Sequence, residues 1–284
     1  NILFVVPSMN CGGAEKILLT LLKYLSRSDF QFSLALIKKT GSLLNDIPHD
    51  VDLIDLKAKR ARYIIFKLLR LIRTNKPDVV FSSIGHLNLI LIVLRSILPK
   101  SIKFICRETN IPNLKYRNLP NYRIINFLYR NFYRRYDLIV CQSKDMQNDL
   151  VNNYNIPIYK TVIINNPCDT HAISLQTNKS TAKKLLPEKK INLVSVGSLT
   201  YQKGFDLLLK SFNEICTTGF YLTIIGKGRE EKKLKRLAEK LNISELVNFV
   251  GFENAPFPYM KQADLFILSS RYEGFPNVVL EAMA

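Results

Sequence analysis

The sequence predicts an α/β protein built from two Rossmann-like, doubly wound parallel-sheet domains. Three observations predict it. Short, largely apolar runs, such as Asn1–Pro7 and Ile191–Val196, have the length and residue types of strands buried on both faces. Each run leads through a short, often glycine-containing loop into a helical stretch, the alternation that parallel sheets require. The pattern restarts near residue 191 after a polar segment, and 284 residues with 47% hydrophobic content suffice for two cores. The expected domains are residues 1–170 and 191–284, joined by a linker over 171–190. The chain stops at Glu281-Ala282-Met283-Ala284, inside a predicted helix, so the second domain is expected to be incomplete at its C-terminus.

Composition narrows the class. The five cysteines, Cys11, Cys106, Cys141, Cys168 and Cys216, are odd in number and show no Cys-x-x-Cys or Cys/His spacing. This argues against a disulfide framework and a zinc site, and fits a reducing cytosol. The opening Asn1–Pro7 is apolar but short and lacks a basic start, so it reads as a first strand and not as a signal peptide. The longest apolar region, Ile84–Leu98, is interrupted by His86, Asn88 and Arg95, which argues against a membrane span. Net charge is +18, of which +13 lies in residues 1–170, where an acidic surface is expected to dock.

In the first domain, strand Asn1–Pro7 feeds a loop ending in Gly12-Gly13 and then an apolar helix, Ala14–Leu25. Adjacent glycines let backbone approach a phosphate with no Cβ in the way. Strands follow at Phe32–Ile37 and Val51–Leu56. Residues 57–76 form a basic amphipathic helix with Lys67, Arg70 and Arg73 beside Ile64, Leu68, Leu71 and Ile72; its basic face is either solvated or set against anionic lipid. Strand Pro77–Ser83 presents His86 at its carboxyl end, where open α/β sheets bind ligands, so His86 is either a substrate contact or a structural hydrogen-bonding residue. Strand Ile102–Cys106 ends in Arg107-Glu108-Thr109-Asn110. Residues 115–136 interleave Tyr and Phe with Arg, which suits a nucleic-acid backbone or a membrane interface; no nucleic-acid motif accompanies the stretch, and the membrane is preferred. Strand Asp137–Ser143 places Ser143 to cap the next helix, and Val162–Pro167 closes the domain.

The second domain starts with strand Ile191–Val196, loop Gly197–Gly204 and helix Phe205–Ile215, and the loop carries Lys203. Strand Phe220–Ile225 runs into Gly226-Lys227-Gly228, and Arg229–Leu241 is a solvated charged helix. Strand Val247–Val250 leads to Gly251-Phe252. The apolar run Ala263–Ser270 reads as a buried strand, followed by Glu273, the loop Gly274-Phe275-Pro276-Asn277 and a helix that carries Glu281. Strand, loop and helix in that order set amides toward an anion, while Glu273 and Glu281 are placed to face one cleft. Such a site suits a sugar nucleotide, with carboxylates for sugar and ribose hydroxyls and N–H groups for the diphosphate.

The string Glu273-x7-Glu281 closely resembles the signature of the retaining, nucleotide-sugar-dependent GT4-type glycosyltransferases, whose GT-B architecture sets two Rossmann-like domains facing across a cleft. Three further landmarks agree: Gly12-Gly13-Ala14-Glu15, Gly197-Ser198-Leu199-x3-Lys203-Gly204 and Gly226-Lys227-Gly228. The resemblance covers nearly the whole chain. It implies transfer of a hexose or N-acetylhexosamine, with retention, to a hydroxyl of an acceptor held by the first domain, while the second domain binds the donor. Lys203 would counter the diphosphate charge, Glu273 orient the sugar, Glu281 bind ribose, and Gly251 and Phe252 line the base. Gly12 and Gly13 would face diphosphate and acceptor, with His86, Ser198, Gly226, Gly274, Phe275, Pro276 and Asn277 completing the substrate contacts. Two positions depart from the pattern. Glu108 stands where many relatives carry a His, and an ionised carboxylate there would accept a hydrogen bond from the sugar or stabilise a developing cation. Ser198 stands where relatives usually carry an Arg. No Asp-x-Asp motif occupies a suitable loop, and the resemblance implies a metal-independent enzyme without a cofactor. It favours a UDP-linked donor, a lipid-linked saccharide acceptor, and a cytoplasmic enzyme peripheral on the anionic inner face of the cell membrane, with no nucleic-acid partner. Alternatives are an epimerase or phosphorylase on the same architecture, a non-catalytic relative, and a basic nucleic-acid-binding protein.

Overall fold

The structure is a computed structural model that describes residues 1–10, 12–58, 61–179, 184–215 and 219–284. Cys11, Cys216 and the Lys59-Arg60 pair of the expected basic helix lie outside the described residues. The chain divides into two compact units, Asn1–Pro167 and Cys168–Ala284.

The first unit holds strands β1 (Ile2–Val6), β2 (Phe32–Leu36), β3 (Asp52–Asp55), β4 (Val79–Ser82), β5 (Lys103–Arg107), β6 (Leu138–Cys141) and β7 (Thr161–Ile163). Among the described residues they form one sheet in the order β3-β2-β1-β4-β5-β6-β7, and every pairing is parallel. Its helices are α1 (Gly13–Tyr24), α2 (Ala61–Asn75), α3 (Gly85–Leu94), α4 (Pro112–Tyr116), α5 (Tyr122–Phe132) and α6 (Lys144–Tyr154). Both faces are covered, which explains why β1 reads as an unbroken apolar run. Phe4 and Val6 pack with Leu18, Leu19 and Leu22 of α1, whereas Leu3 and Val5 pack with residues of α2, α3, α5 and α6. The strand order reverses between β1 and β4, which pair with Val5 beside Ser82. At α6 the Ser143 hydroxyl accepts the Met146 N–H at 3.3 Å, the cap expected from sequence.

The aromatic segment 115–136 splits by face. Tyr116, Tyr129, Tyr133 and Tyr136 turn inward and are buried, while Ile124, Phe127, Arg123, Arg130, Arg134 and Arg135 remain exposed. The expectation that the tyrosines meet an external surface is therefore corrected. They form a stacked core in which the Tyr129 and Tyr133 centroids lie 4.3 Å apart.

The second unit holds α7 (Thr170–Lys179), β8 (Ile191–Val196), α8 (Phe205–Ile215), β9 (Phe220–Ile225), α9 (Glu231–Lys240), β10 (Val247–Gly251), α10 (Phe257–Gln262), β11 (Leu265–Phe266) and α11 (Asn277–Met283). The sheet order is β10-β9-β8-β11, all parallel, so its order reverses between β8 and β11. Two differences from the sequence expectation have physical causes. Residues 171–179 of the expected linker belong to α7, which packs against α10. The strand expected over 263–270 shrinks to two residues because the chain peels off β8 after Ile267, whose N–H still donates to Val194 O at 2.8 Å. Beyond it, Ser269 and Arg271 bond instead to the 201–204 turn.

Candidate active site

In open α/β sheets the crevice for ligands lies outside the carboxyl ends of the strands where the order reverses. In the second unit that place is the junction of the loops after β8 and β11. The neighbouring turns interlock there. The Gly226 N–H donates to Gly251 O at 2.7 Å, and the Gly197 N–H donates to Ile225 O at 2.9 Å. Gly226 has φ +147° and a Cβ would overlap Gly197 O, so only glycine fits. The aliphatic stem of Lys203 crosses the bare face of Gly197, with Cγ, Cδ and Cε each 3.5 Å from the place of a Cβ.

That stem carries the ammonium to Glu273, whose Oε1 lies 2.6 Å from Lys203 Nζ and also accepts the Ser270 hydroxyl at 2.6 Å. Lys203 and Glu273 are 19% and 18% exposed, so the pair is shielded yet reachable. Seventy positions separate them in sequence, and each was expected at the site with a separate task; their direct pairing adds to that expectation. Lys203 is held by its turn, where its N–H donates to Thr200 O at 3.0 Å and Gly204 adopts φ +64° against Ser269 O. A cation and a carboxylate at one sheet edge, beside backbone without Cβ atoms, can take an anionic leaving group and a polyhydroxylated group side by side.

The other expected residues of this unit distribute around the edge. Ser198 is exposed on the loop after β8, and Phe252 is exposed just beyond β10. Gly274, Phe275 and Pro276 lead into α11, where Pro276 is the N-cap and Asn277 the first helical residue. Glu281 lies on α11, where its charge adds to burial in raising the Cys168 thiol pKa. Sequence reasoning missed Asp206 and Arg271, whose side chains pair at 2.7 Å beside this site. The only signal was the position of Asp206 in the first turn of α8.

In the first unit the order reversal lies between β1 and β4, and the sequence-predicted residues collect at their carboxyl ends. Gly12 is the N-cap of α1 and Gly13 its first residue. His86 is the second residue of α3, accessible on the surface; partial desolvation and then the Lys115 charge lower its pKa, so the imidazole is neutral at neutral pH. Glu108 lies just beyond β5 and is only 2% exposed. Its Oε1 accepts from Asn88 Nδ2 at 3.3 Å, from the Tyr129 hydroxyl at 3.2 Å and from the Tyr133 hydroxyl. Burial raises its pKa to about 7, against the lowering effects of Lys115 and these hydrogen bonds. Glu108 is thus an internal hub that meets protein hydroxyls and an amide. The same hub orders Asn88, which accepts the Ser82 hydroxyl at 2.6 Å and whose backbone carbonyl accepts the Tyr136 hydroxyl at 2.7 Å. Asn88 carried no sequence signal.

Among the described residues no group of three or more His, Cys, Asp or Glu is arranged to hold a metal ion, and no helix is long and apolar enough to cross a membrane. The family model described as Glycosyltransferase Family 4 matches residues 11–172, and that described as Glycosyl transferases group 1 matches residues 176–284. A relative from Campylobacter jejuni, the N-acetylgalactosamine-N,N'-diacetylbacillosaminyl-diphospho-undecaprenol 4-alpha-N-acetylgalactosaminyltransferase, is 30% identical over 290 residues, covering 98% of this chain and 77% of its own. Among solved structures, Anabaena HepE in complex with UDP-glucose superposes with a TM-score of 0.74 at 18% identity, over 99% of this chain and 77% of that one. Sucrose-phosphate synthase from Thermosynechococcus elongatus gives 0.78 at 16% identity, over 99% and 78%. With two parallel-sheet units that each end in a glycine-lined reversal point, the chain belongs to Glycosyltransferase Family 4 and is a glycosyltransferase of GT-B architecture.

Proposed function

We propose that the enzyme moves a hexose or N-acetylhexosamine from a nucleoside diphosphate sugar, UDP-linked by preference, to a hydroxyl of a lipid-linked saccharide, with retention and without a metal ion. The observation that carries this reading is the Lys203–Glu273 pair at the reversal point of the second unit. In the proposed step the bond from the anomeric carbon to the diphosphate breaks and the diphosphate leaves with the electron pair. The acceptor oxygen bonds to that carbon, and its proton passes to the departing phosphate oxygen. Lys203 and the backbone N–H groups of Gly274, Phe275 and Asn277 receive the diphosphate charge, and Glu273 orients the sugar while positive charge builds on its ring. Glu281 is assigned to ribose, and Gly251 and Phe252 to the base. In the first unit, Gly12, Gly13 and His86 meet the acceptor, and Glu108 positions Asn88 and Tyr129 behind them.

Donor and acceptor class are supported by the Campylobacter relative, whose name gives an N-acetylgalactosaminyl group and a diphospho-undecaprenol acceptor, and by the UDP-glucose held by the Anabaena structure. Peripheral binding to the anionic inner face of the cell membrane is supported by α5, which exposes Ile124 and Phe127 between Arg123 and Arg130. Apolar side chains flanked by guanidinium groups suit headgroups over acyl chains. The test is UDP release from UDP-N-acetylgalactosamine and UDP-glucose in the presence of undecaprenyl-diphosphate-linked saccharide. Glu273→Ala is expected to abolish release while near-UV dichroism stays native; unchanged turnover refutes the assignment.

A further inference from the structure

The 2.6 Å contact between Lys203 and Glu273 joins two loops that are remote in sequence, so something must hold those loops in register. The holding contacts all run between residues 201–206 and 269–272. Arg271, two positions before Glu273, places its two terminal nitrogens on the two oxygens of Asp206, each at 2.7 Å. The same Nη1 donates to Tyr201 O at 2.8 Å, and the guanidinium lies 4.1 Å from the Tyr201 ring centroid. Backbone joins in: the Arg271 N–H donates to Gln202 O at 2.7 Å, Gln202 Nε2 donates to Tyr272 O at 3.1 Å, and the Ser269 hydroxyl donates to Lys203 O at 2.9 Å. A fork-to-fork pair fixes direction as well as distance, which a lysine ammonium does not. Both side chains are spent on each other and on Tyr201, so neither is available to the reacting atoms. The mutual hydrogen bond holds the Asp206 carboxyl below the usual carboxylate range and the Arg271 guanidinium above its own, so the pair stays ionised at any working pH.

We propose that Arg271 and Asp206 are positioning residues for transfer: their bidentate pair locks the turn carrying Lys203 against the loop carrying Glu273, so that one carboxylate and one ammonium meet sugar and diphosphate at a fixed spacing. The inference rests on the function proposed for Lys203 and Glu273, and it adds the part of the site that sets their geometry.

The test is a double-mutant cycle on the full chain, with turnover read as UDP release from UDP-N-acetylgalactosamine and UDP-glucose, and UDP affinity read by calorimetry. Arg271→Met is expected to lower kcat about a hundredfold, as misplacement near 1 Å does, while UDP affinity falls far less because Lys203 stays on its own turn. In a Glu273→Gln background the same change is expected to lower the residual turnover no further, because its effect passes through Glu273. Arg271→Lys is expected to rescue only in part, having lost the fork. If Arg271→Met does not fold, Asp206→Asn, which keeps the shape and one acceptor, gives the cycle instead. An equal loss of kcat in both backgrounds, or a loss that merely tracks melting temperature, overturns the positioning role while leaving the proposed function intact. Absence of UDP release by the unaltered enzyme with both donors overturns the proposed function and this inference with it.

Discussion

Replacing Glu108 by Gln tests the hub of the first unit through its pH dependence. The side chain is 2% exposed and its carboxyl is pushed up to about 7 by burial. In the unfolded chain it titrates in the ordinary carboxylate range, so between about pH 4.5 and 7 the native state binds more protons than the unfolded state. Stability from this group is therefore complete below the unfolded pKa and is lost as pH rises through the folded pKa. A displacement of that size is worth about 2 to 3 kcal/mol between pH 5 and pH 8. Gln keeps the shape and an acceptor oxygen toward Tyr129 and Tyr133 but does not titrate. Urea unfolding followed by tyrosine near-UV dichroism, to which the packed Tyr129, Tyr133, Tyr136 and Tyr154 rings of this unit contribute, reports it. The expected result is a wild type that loses stability from pH 5 to pH 8 relative to Glu108→Gln. If the difference between the two proteins is flat over that range, Glu108 is ionised and solvated, and the hub as described is wrong.

Other consequences are equally direct. Gly226→Ala forces a side chain into φ +147° against Gly197 O, and is expected to destabilise the second unit by about 2 to 3 kcal/mol; the urea midpoint measures it, and a wild-type midpoint contradicts the interlocked turns. Changing Ile124 and Phe127 together to Asp removes two exposed apolar contacts from α5, each worth about 1.5 kcal/mol or more when buried in lipid. Binding to phosphatidylglycerol vesicles is expected to fall at least about a hundredfold; sedimentation equal to wild type refutes α5 as the membrane face. Arg123→Gln with Arg130→Gln is expected to cost about 1 kcal/mol per charge and to flatten the salt dependence of the same binding, and an unchanged salt profile argues against electrostatic docking.

Much of the architecture was legible because buried parallel strands are predominantly apolar, with only Asn192, Ser195 and Thr223 as polar residues in the two central strands of the second unit. Ile191–Val196 and Phe220–Ile225 occur as expected, as does helix Phe205–Ile215. Glycines after strands marked both reversal points, and in the second unit close backbone approach at Gly204 and Gly226 admits nothing larger. Other features were not legible because they depend on which side of an element meets which neighbour. Composition alone made residues 115–136 look like a surface, yet Ile125, Tyr129, Tyr133 and Tyr136 follow helical spacing and all are buried; that periodicity was the available signal. The strand over 263–270 was overestimated because side-chain character does not reveal that Ser269 and Arg271 trade ladder partners for the turn at 201–204. The Lys203–Glu273 and Asp206–Arg271 pairs join positions 70 and 65 residues apart, and nothing local in either segment specifies such a contact.

The most direct measurement is calorimetric titration of the full chain with UDP and with UMP, repeated on Lys203→Met. A charge-assisted contact to the terminal phosphate is worth about 1.5 to 3 kcal/mol, so the substitution is expected to weaken UDP roughly ten- to a hundredfold and leave UMP nearly as it was. Equal UDP affinity in the two proteins, or an equal loss for UDP and UMP, contradicts the placement of the donor diphosphate at Lys203.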